Sequence, residues 1–243
     1  MPRSLAPCQV DLWLCHRKDA YSLDLGVLTP AERERAGRAA GPQPAEFALG
    51  RSWIRHLLSE YSDLGPEAWA FDIGPQGKPA LVAQQAALQF NLSHSGEWLA
   101  AAVTSGVPVG VDIQAVESRS SLGRLARRYY SEPERDDLAR LAGEDYQAHF
   151  YRLWALKEAW TKARGGALPT ALGSTSFRFE AGELVSLTPE KTREDSFWLL
   201  QVDRHVLALC GLDTALSLDC RLWSGVGAGE PFEPRLLASA GVT

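Results

Sequence analysis

The 243-residue sequence contains no apolar run approaching the roughly 18 residues of a membrane-spanning helix. Its opening, MPRSLAPCQVDLWLC, lacks the long apolar core of a secretory leader. Both absences lead to the expectation of a cytoplasmic protein with no membrane contact. The four cysteines, Cys8, Cys15, Cys210 and Cys220, show no Cys-x-x-Cys spacing and no partnering histidine cluster. That removes structural zinc and thioredoxin-like chemistry and leaves reduced thiols. A basic excess is missing too. Against 25 Lys and Arg stand 30 Asp and Glu, a formal charge of −5, which excludes a dedicated nucleic-acid binder of the usual basic kind.

What is present is enough apolar material, 45% of residues, for a sizeable core in one or two domains. Charge is uneven along the chain. Arg119 to Arg164 holds ten Lys and Arg against seven Asp and Glu, whereas Gly165 to Thr243 holds six against ten. A basic middle suits phosphates or an acidic partner, and alternating charges on solvated helices account for it equally.

The most informative stretch is His149 to Leu168, HFYRLWALKEAWTKARGGAL, which predicts a helix stopped by Gly165 and Gly166. At about 100° per residue, Leu153, Leu156, Trp160 and Ala163 share one apolar stripe. Tyr151, Trp154, Glu158 and Lys162 share the opposite side. Glu158 and Lys162, four apart with the acid first, have the order of an ordinary surface ion pair contributing roughly 0.2–0.5 kcal/mol. An acid and a base framed by two aromatics point instead to a second, partly covered surface. This surface is the candidate site.

The other segments fall into a repeated order. Val10 to Cys15 predicts a strand, Thr29-Pro30 a capped helix start, and Phe47 to Tyr61 a longer helix after the breaker Gly41-Pro42-Gln43-Pro44. Trp69–Ile73, Ala80–Val82, Phe90–Ser95 and Leu99–Thr104 predict strands. Val109–Gln114 then answers the first strand. Helices near Leu122–Tyr130, Pro133–Leu141 and His149–Arg164 follow, then strands at Ser176–Phe179, Leu184–Leu187, Phe197–Val202 and Val206–Leu212. The repetition predicts an α+β pseudo-dimer of two similar lobes, about 1–105 and 106–213. Residues 214–243 are expected to add one strand, Leu218 to Trp223, and a Gly/Pro-rich edge extension or loosely held tail.

Candidate chemistry is spread over several of these segments. Asp112 and Gln114, two apart on a strand, direct two oxygen donors to one face. With Glu158 they would make an all-oxygen site suited to Mg²⁺, or they are simply the polar end of a strand. Phe90-Asn91-Leu92-Ser93-His94-Ser95 runs into a polar turn able to meet an anion. Gly77-Lys78-Pro79 holds a lysine between rigid neighbours or is a plain turn, and Arg51 is a phosphate contact or a helix-surface cation.

In their order, ALGRSWIRHLL, GKP, FNLSHS, GVDI and FYRLWALKEAWTKARGGAL resemble the 4′-phosphopantetheinyl transferases of the larger, surfactin-synthetase-activating type, over roughly Thr29 to Asp213. The family pattern W-x-x-K-E-x-x-x-K is met by Trp154, Lys157, Glu158 and Lys162. The resemblance implies two α+β lobes with coenzyme A and Mg²⁺ in the cleft between them. It implies transfer of the phosphopantetheine arm to a serine of an apo acyl or peptidyl carrier protein by a monomer. Asp112 and Glu158 would hold Mg²⁺ and Glu158 would take the serine proton, while Lys162 would neutralise the leaving α-phosphate. Arg51, Lys78, Ser93 and His94 would grip the 3′-phosphate and pyrophosphate, helped by Arg33, Arg35 or Arg38. Arg124, Arg127 and Arg128 would receive the acidic carrier. Two positions depart from the commoner pattern. Gln114 stands where many relatives have Glu, leaving an amide or a water behind it as second metal ligand, and Gly165-Gly166-Ala167-Leu168 lacks the lysine of Gly-Lys-Gly-Leu. A metal-dependent phosphohydrolase and a non-catalytic coenzyme A or carrier-protein-binding module are the competing readings.

Overall fold

The computed structural model describes residues 2–20, 23–37, 42–75, 77–166, 175–180, 183–186, 195–212, 214–224 and 229–240. Arg38, Gly41, Ala167, Leu168, Leu187 and Asp213, which enter the expectations above, lie outside the described residues. The first lobe runs β1 (Gln9–His16), α1 (Arg17–Ala20), α2 (Pro30–Gly37), α3 (Pro42–Ser59), β2 (Phe71–Ile73), β3 (Pro79–Leu81), β4 (Leu88–Ser95) and β5 (Trp98–Ser105). The second runs β6 (Val109–Ala115), α4 (Leu122–Tyr129), α5 (Glu132–Ala139), α6 (Gly143–Ala163), β7 (Phe177–Glu180), β8 (Glu183–Ser186), β9 (Ser196–Val202) and β10 (His205–Gly211). The last elements are β11 (Ser217–Trp223), β12 (Glu230–Pro231) and β13 (Arg235–Ala240).

The repeat is visible in the pairing. In each lobe the first strand lies antiparallel to the last, which lies antiparallel to the one before it: β1–β5–β4 and β6–β10–β9. Each lobe also inserts a small separate hairpin, β2–β3 and β7–β8. Side chains alternate across both sheets as strand geometry requires. Trp13, Leu99, Ala101 and Val103 face α3, with Trp53, Ile54 and Leu57 opposite them. Leu12, Leu14, Ala100 and Ala102 face Val111, Ile113, Leu207 and Leu209 of the other sheet. Leu199, Val206 and Ala208 face α6. The result is four layers, helix, sheet, sheet, helix, with three apolar seams.

One expectation is sharpened and one changes. The predicted strand is β11, which lies inside the first sheet, parallel to β1, and β13 is the expected edge extension, beside β9 in the second sheet. Alternating apolar residues at 217–223 mark a strand but do not name its neighbour. The long helices also start earlier, α3 inside the proline-rich breaker and α6 at Gly143. Proline suits a first helical turn, where its missing N–H has no partner to lose. Glu144 and Asp145 open α6, favoured by the positive end of the helix dipole, so its first turn carries no apolar rhythm.

Candidate active site

The site begins with one close approach. A Cβ on Gly110 would lie 2.0 Å from the Ala159 carbonyl oxygen and 2.5 Å from the Ala163 nitrogen. Only glycine lets the last turns of α6 lie directly on β6. That contact brings the polar side of α6 against Asp112, two residues further along the strand. The predicted stripe Leu153, Leu156, Trp160 and Ala163 is buried, and the opposite side is covered as well, with Tyr151 and Glu158 each 4% exposed.

On the other flank β6 meets β4 edge to face. Asn91 Oδ1, Ser93 Oγ and Ser95 Oγ accept the backbone N–H groups of Val111, Ile113 and Ala115 at 2.9, 3.3 and 2.9 Å. A strand edge that would otherwise hold unpaired donors is satisfied by side chains at period two. This ladder joins the lobes and carries Ser93 into the site.

Lys162 Nζ lies 2.6 Å from Asp112 Oδ1, 3.1 Å from Ser93 Oγ and 3.1 Å from the Val111 carbonyl oxygen. Ser93 Oγ also donates to Asp112 Oδ1 at 2.9 Å. The lysine therefore reaches across to β6 instead of forming the helical ion pair with Glu158. Burial pushes the Glu158 carboxyl up to about 8, Asp112 adds repulsion, and Lys162 opposes both only in part. With Glu158 ionised, two buried acids face one ammonium, and a divalent cation would supply the missing positive charge. The available donors are all oxygen, which suits Mg²⁺. Among the described residues no group of three or more His, Cys, Asp or Glu comes together, so the carboxylate donors are Asp112 and Glu158. Gln114, expected as a metal ligand through its amide oxygen or a water behind it, lies beside Asp112 and donates from Nε2 to Asp112 Oδ2 at 2.8 Å. An ionised carboxylate draws N–H groups wherever no cation competes.

The other residues expected at the site are held in different ways around this cluster. Ser93 and His94 are neighbours on β4 and so face opposite ways. His94, half exposed, lies 3.9 Å from Glu46 while Ser93 joins Asp112. Lys78 turns inward, its Nζ 2.6 Å from the Lys162 carbonyl oxygen and 3.2 Å from that of Val109. Arg51 lines a separate cavity of about 450 Å³ with Arg35, Arg55, Phe47, Trp69 and Phe71. Its guanidinium sits 5.4 Å from the Phe47 ring and 5.2 Å from that of Phe71, with Glu32 at 3.9 Å. No residue of the Asp112 cluster lines that cavity. Arg33 turns back to the carbonyl groups of Gly26 and Leu28. Arg124, Arg127 and Arg128 are exposed on α4.

Sequence reasoning missed the partner of Lys157. This lysine, fully buried, lies 3.0 Å from Glu134 Oε2 and donates to the Thr175 carbonyl oxygen. Glu134 also accepts from Ser131 N at 2.7 Å and Phe177 N at 2.9 Å, tying α5, α6 and β7 together. The signal was available: Ser131-x-x-Glu134 is a capping box.

Residues 108–210 match the model of the 4′-phosphopantetheinyl transferase superfamily. The chain is 36% identical to 4′-phosphopantetheinyl transferase psf-1 of Bacillus pumilus over 143 residues, 58% of this chain and 60% of that protein. It is 30% identical to 4′-phosphopantetheinyl transferase Sfp of Bacillus subtilis over 67% of this chain and 71% of that one. With 4′-phosphopantetheinyl transferase HetI of Nostoc the identity is 34%, over 66% and 70%.

Proposed function

The chain belongs to the 4′-phosphopantetheinyl transferase superfamily, and from that membership we propose that it moves the phosphopantetheine arm of coenzyme A onto a serine of an apo acyl or peptidyl carrier protein. The serine oxygen forms a bond to the β-phosphorus as the bond to the α-phosphate bridge breaks, and adenosine 3′,5′-bisphosphate departs. Glu158 takes the serine proton as general base. Lys162, a quarter exposed, is placed to meet the charge on the departing phosphate. Asp112 and Glu158 would hold Mg²⁺, which when bound supplies positive charge to the pyrophosphate. Ser93 fixes Asp112 and Lys162 together, and His94 is the exposed polar side chain beside them on the first lobe.

The observation that carries this reading is the close packing at Gly110, which assembles Asp112, Glu158 and Lys162 where the two lobes meet. Both sides of the site come from one chain, so a monomer suffices. The exposed arginines of α4 offer an acidic carrier a complementary surface. The cytoplasm, where coenzyme A and newly made carriers meet, is the compartment this reaction calls for. Incubating the protein with an apo carrier and coenzyme A, with and without Mg²⁺, and weighing the intact carrier tests the proposal. A gain of one phosphopantetheine per carrier only with metal is the expected result, and an unmodified carrier in both mixtures contradicts it.

A further inference from the structure

Lys78 is presented by a tight turn in the first lobe. Gly77, at φ +83°, donates to the Gly74 carbonyl oxygen at 2.9 Å, and Gly74 donates to that of Lys78 at 2.9 Å. Glycine adopts that left-handed conformation without the cost a side chain brings. The ammonium so held reaches out of its own lobe. At 2.6 Å from the Lys162 carbonyl oxygen it sits at the negative end of the α6 dipole, a position that favours a cation. At 3.2 Å from the Val109 carbonyl oxygen it also grips β6 one residue before Gly110, the point where α6 rests on the strand. Two of its three donors are thus directed to the backbone of the two elements that carry Lys162 and Asp112.

We infer that Lys78 is a positioning residue, which acts on the reaction by fixing the end of α6 against β6, and through it the Lys162 side chain, rather than by contact with a phosphate of coenzyme A. The inference rests on the transferase reading for its kinetic consequences, and its structural consequence stands without it. A phosphate contact and a strut differ in what their removal changes. A lost phosphate contact weakens coenzyme A binding. A lost strut leaves binding in place and lets Lys162 drift, and displacements of about 1 Å in such groups cost up to roughly a hundredfold in rate.

The test uses the full chain with Lys78→Met and Lys78→Gln, the latter keeping a donor. Lys78→Met is expected to lower kcat about tenfold or more while coenzyme A affinity changes less than about twofold, with part of the rate regained by Lys78→Gln. In a Lys162→Ala background, Lys78→Met should have little further effect, as residues acting through one another are not additive. Hydrogen exchange at the last turn of α6 should quicken in Lys78→Met, and this readout needs no activity. A raised coenzyme A requirement at unchanged kcat, or full additivity with Lys162→Ala, overturns the inference. If the wild type modifies no carrier, it is the transferase reading that fails, and unchanged exchange at the helix end then overturns the strut by itself.

Discussion

Two lysines five residues apart on α6 meet carboxylates in opposite ways. Lys157 and Glu134 are both fully buried, one acid to one base; Ser131 N and Phe177 N donate to the carboxylate, and the ammonium donates to the Thr175 carbonyl oxygen. Lys162 is a quarter exposed and has two acids beside it, Asp112 in contact and Glu158 pushed up to about 8. The first arrangement is closed and matched, so it holds α5, α6 and β7 in place. The second is open and unmatched, so it retains affinity for another cation and for a proton. A charged residue in the core of this fold is therefore not by itself a sign of chemistry; the unmatched charge is.

The comparison depends on α6 lying on β6, and the largest expected effect comes from prising them apart. Gly110→Ala places a methyl group against backbone atoms that cannot rotate away, and should cost about 3 kcal/mol of stability along with most of the activity. Urea unfolding and carrier modification, measured on the same preparation, should both fall; a variant as stable as the parent would mean that α6 does not rest where described.

Breaking the closed pair should damage the fold and spare the chemistry. Lys157→Met strands the Glu134 charge and should cost on the order of 3–5 kcal/mol, while turnover per folded molecule stays within a few-fold of the parent. A normal unfolding midpoint combined with lost turnover would move Lys157 into the active site.

Glu134→Gln sharpens the same point through pH. Burial already holds Lys157 below its ordinary range despite Glu134 beside it. Its charged form is thus disfavoured in the folded state, and stability rises with pH between the folded and unfolded values. Removing the Glu134 charge lowers the folded value further and extends that interval downward. The variant should therefore regain more stability than the parent between pH 7 and pH 9 in urea titrations; a deficit that grows with pH would contradict the assignment.

The smallest effect belongs to Gln114. An added carboxylate at Gln114→Glu should tighten Mn²⁺ or Mg²⁺ binding in the absence of coenzyme A, and Gln114→Ala should weaken it less than Asp112→Ala. Calorimetry on the three variants and the parent decides. Unchanged affinity in Gln114→Glu, with Gln114→Ala as damaging as Asp112→Ala, would show that Gln114 acts through its hydrogen bond to Asp112 alone.

Much of this was legible from residues. Period-two and helical rhythms marked most elements, and the two-lobe order followed from comparing them. Glu158 and Lys162 stood out because an acid and a base flanked by Tyr151 and Trp154 do not suit a plain solvated face, and Asp112 because it shares a strand face with Gln114. What stayed hidden depends on partners distant in sequence. The place of β11 beside β1 is set by the whole sheet, and nothing within 217–223 encodes it. Ser93 and His94, adjacent on β4, point to opposite faces, so Ser93 bonds Asp112 while His94 lies by Glu46. Asn91, Ser93 and Ser95 suggest a strand running into an anion-binding turn, although their spacing of two is the mark of one face, the face that satisfies β6. Lys78 and Arg51 carry charge suited to phosphate, but their direction was fixed by a glycine turn and by two phenylalanine rings.

The most direct measurement replaces Glu158 by Gln and follows two quantities in one sample set, coenzyme A affinity by calorimetry and carrier modification by intact mass, at saturating Mg²⁺. The account predicts coenzyme A binding within a few-fold of the parent, with transfer reduced by roughly a hundredfold or more. Transfer at the parent's rate would return Glu158 to a packing role and remove the open cluster from the chemistry.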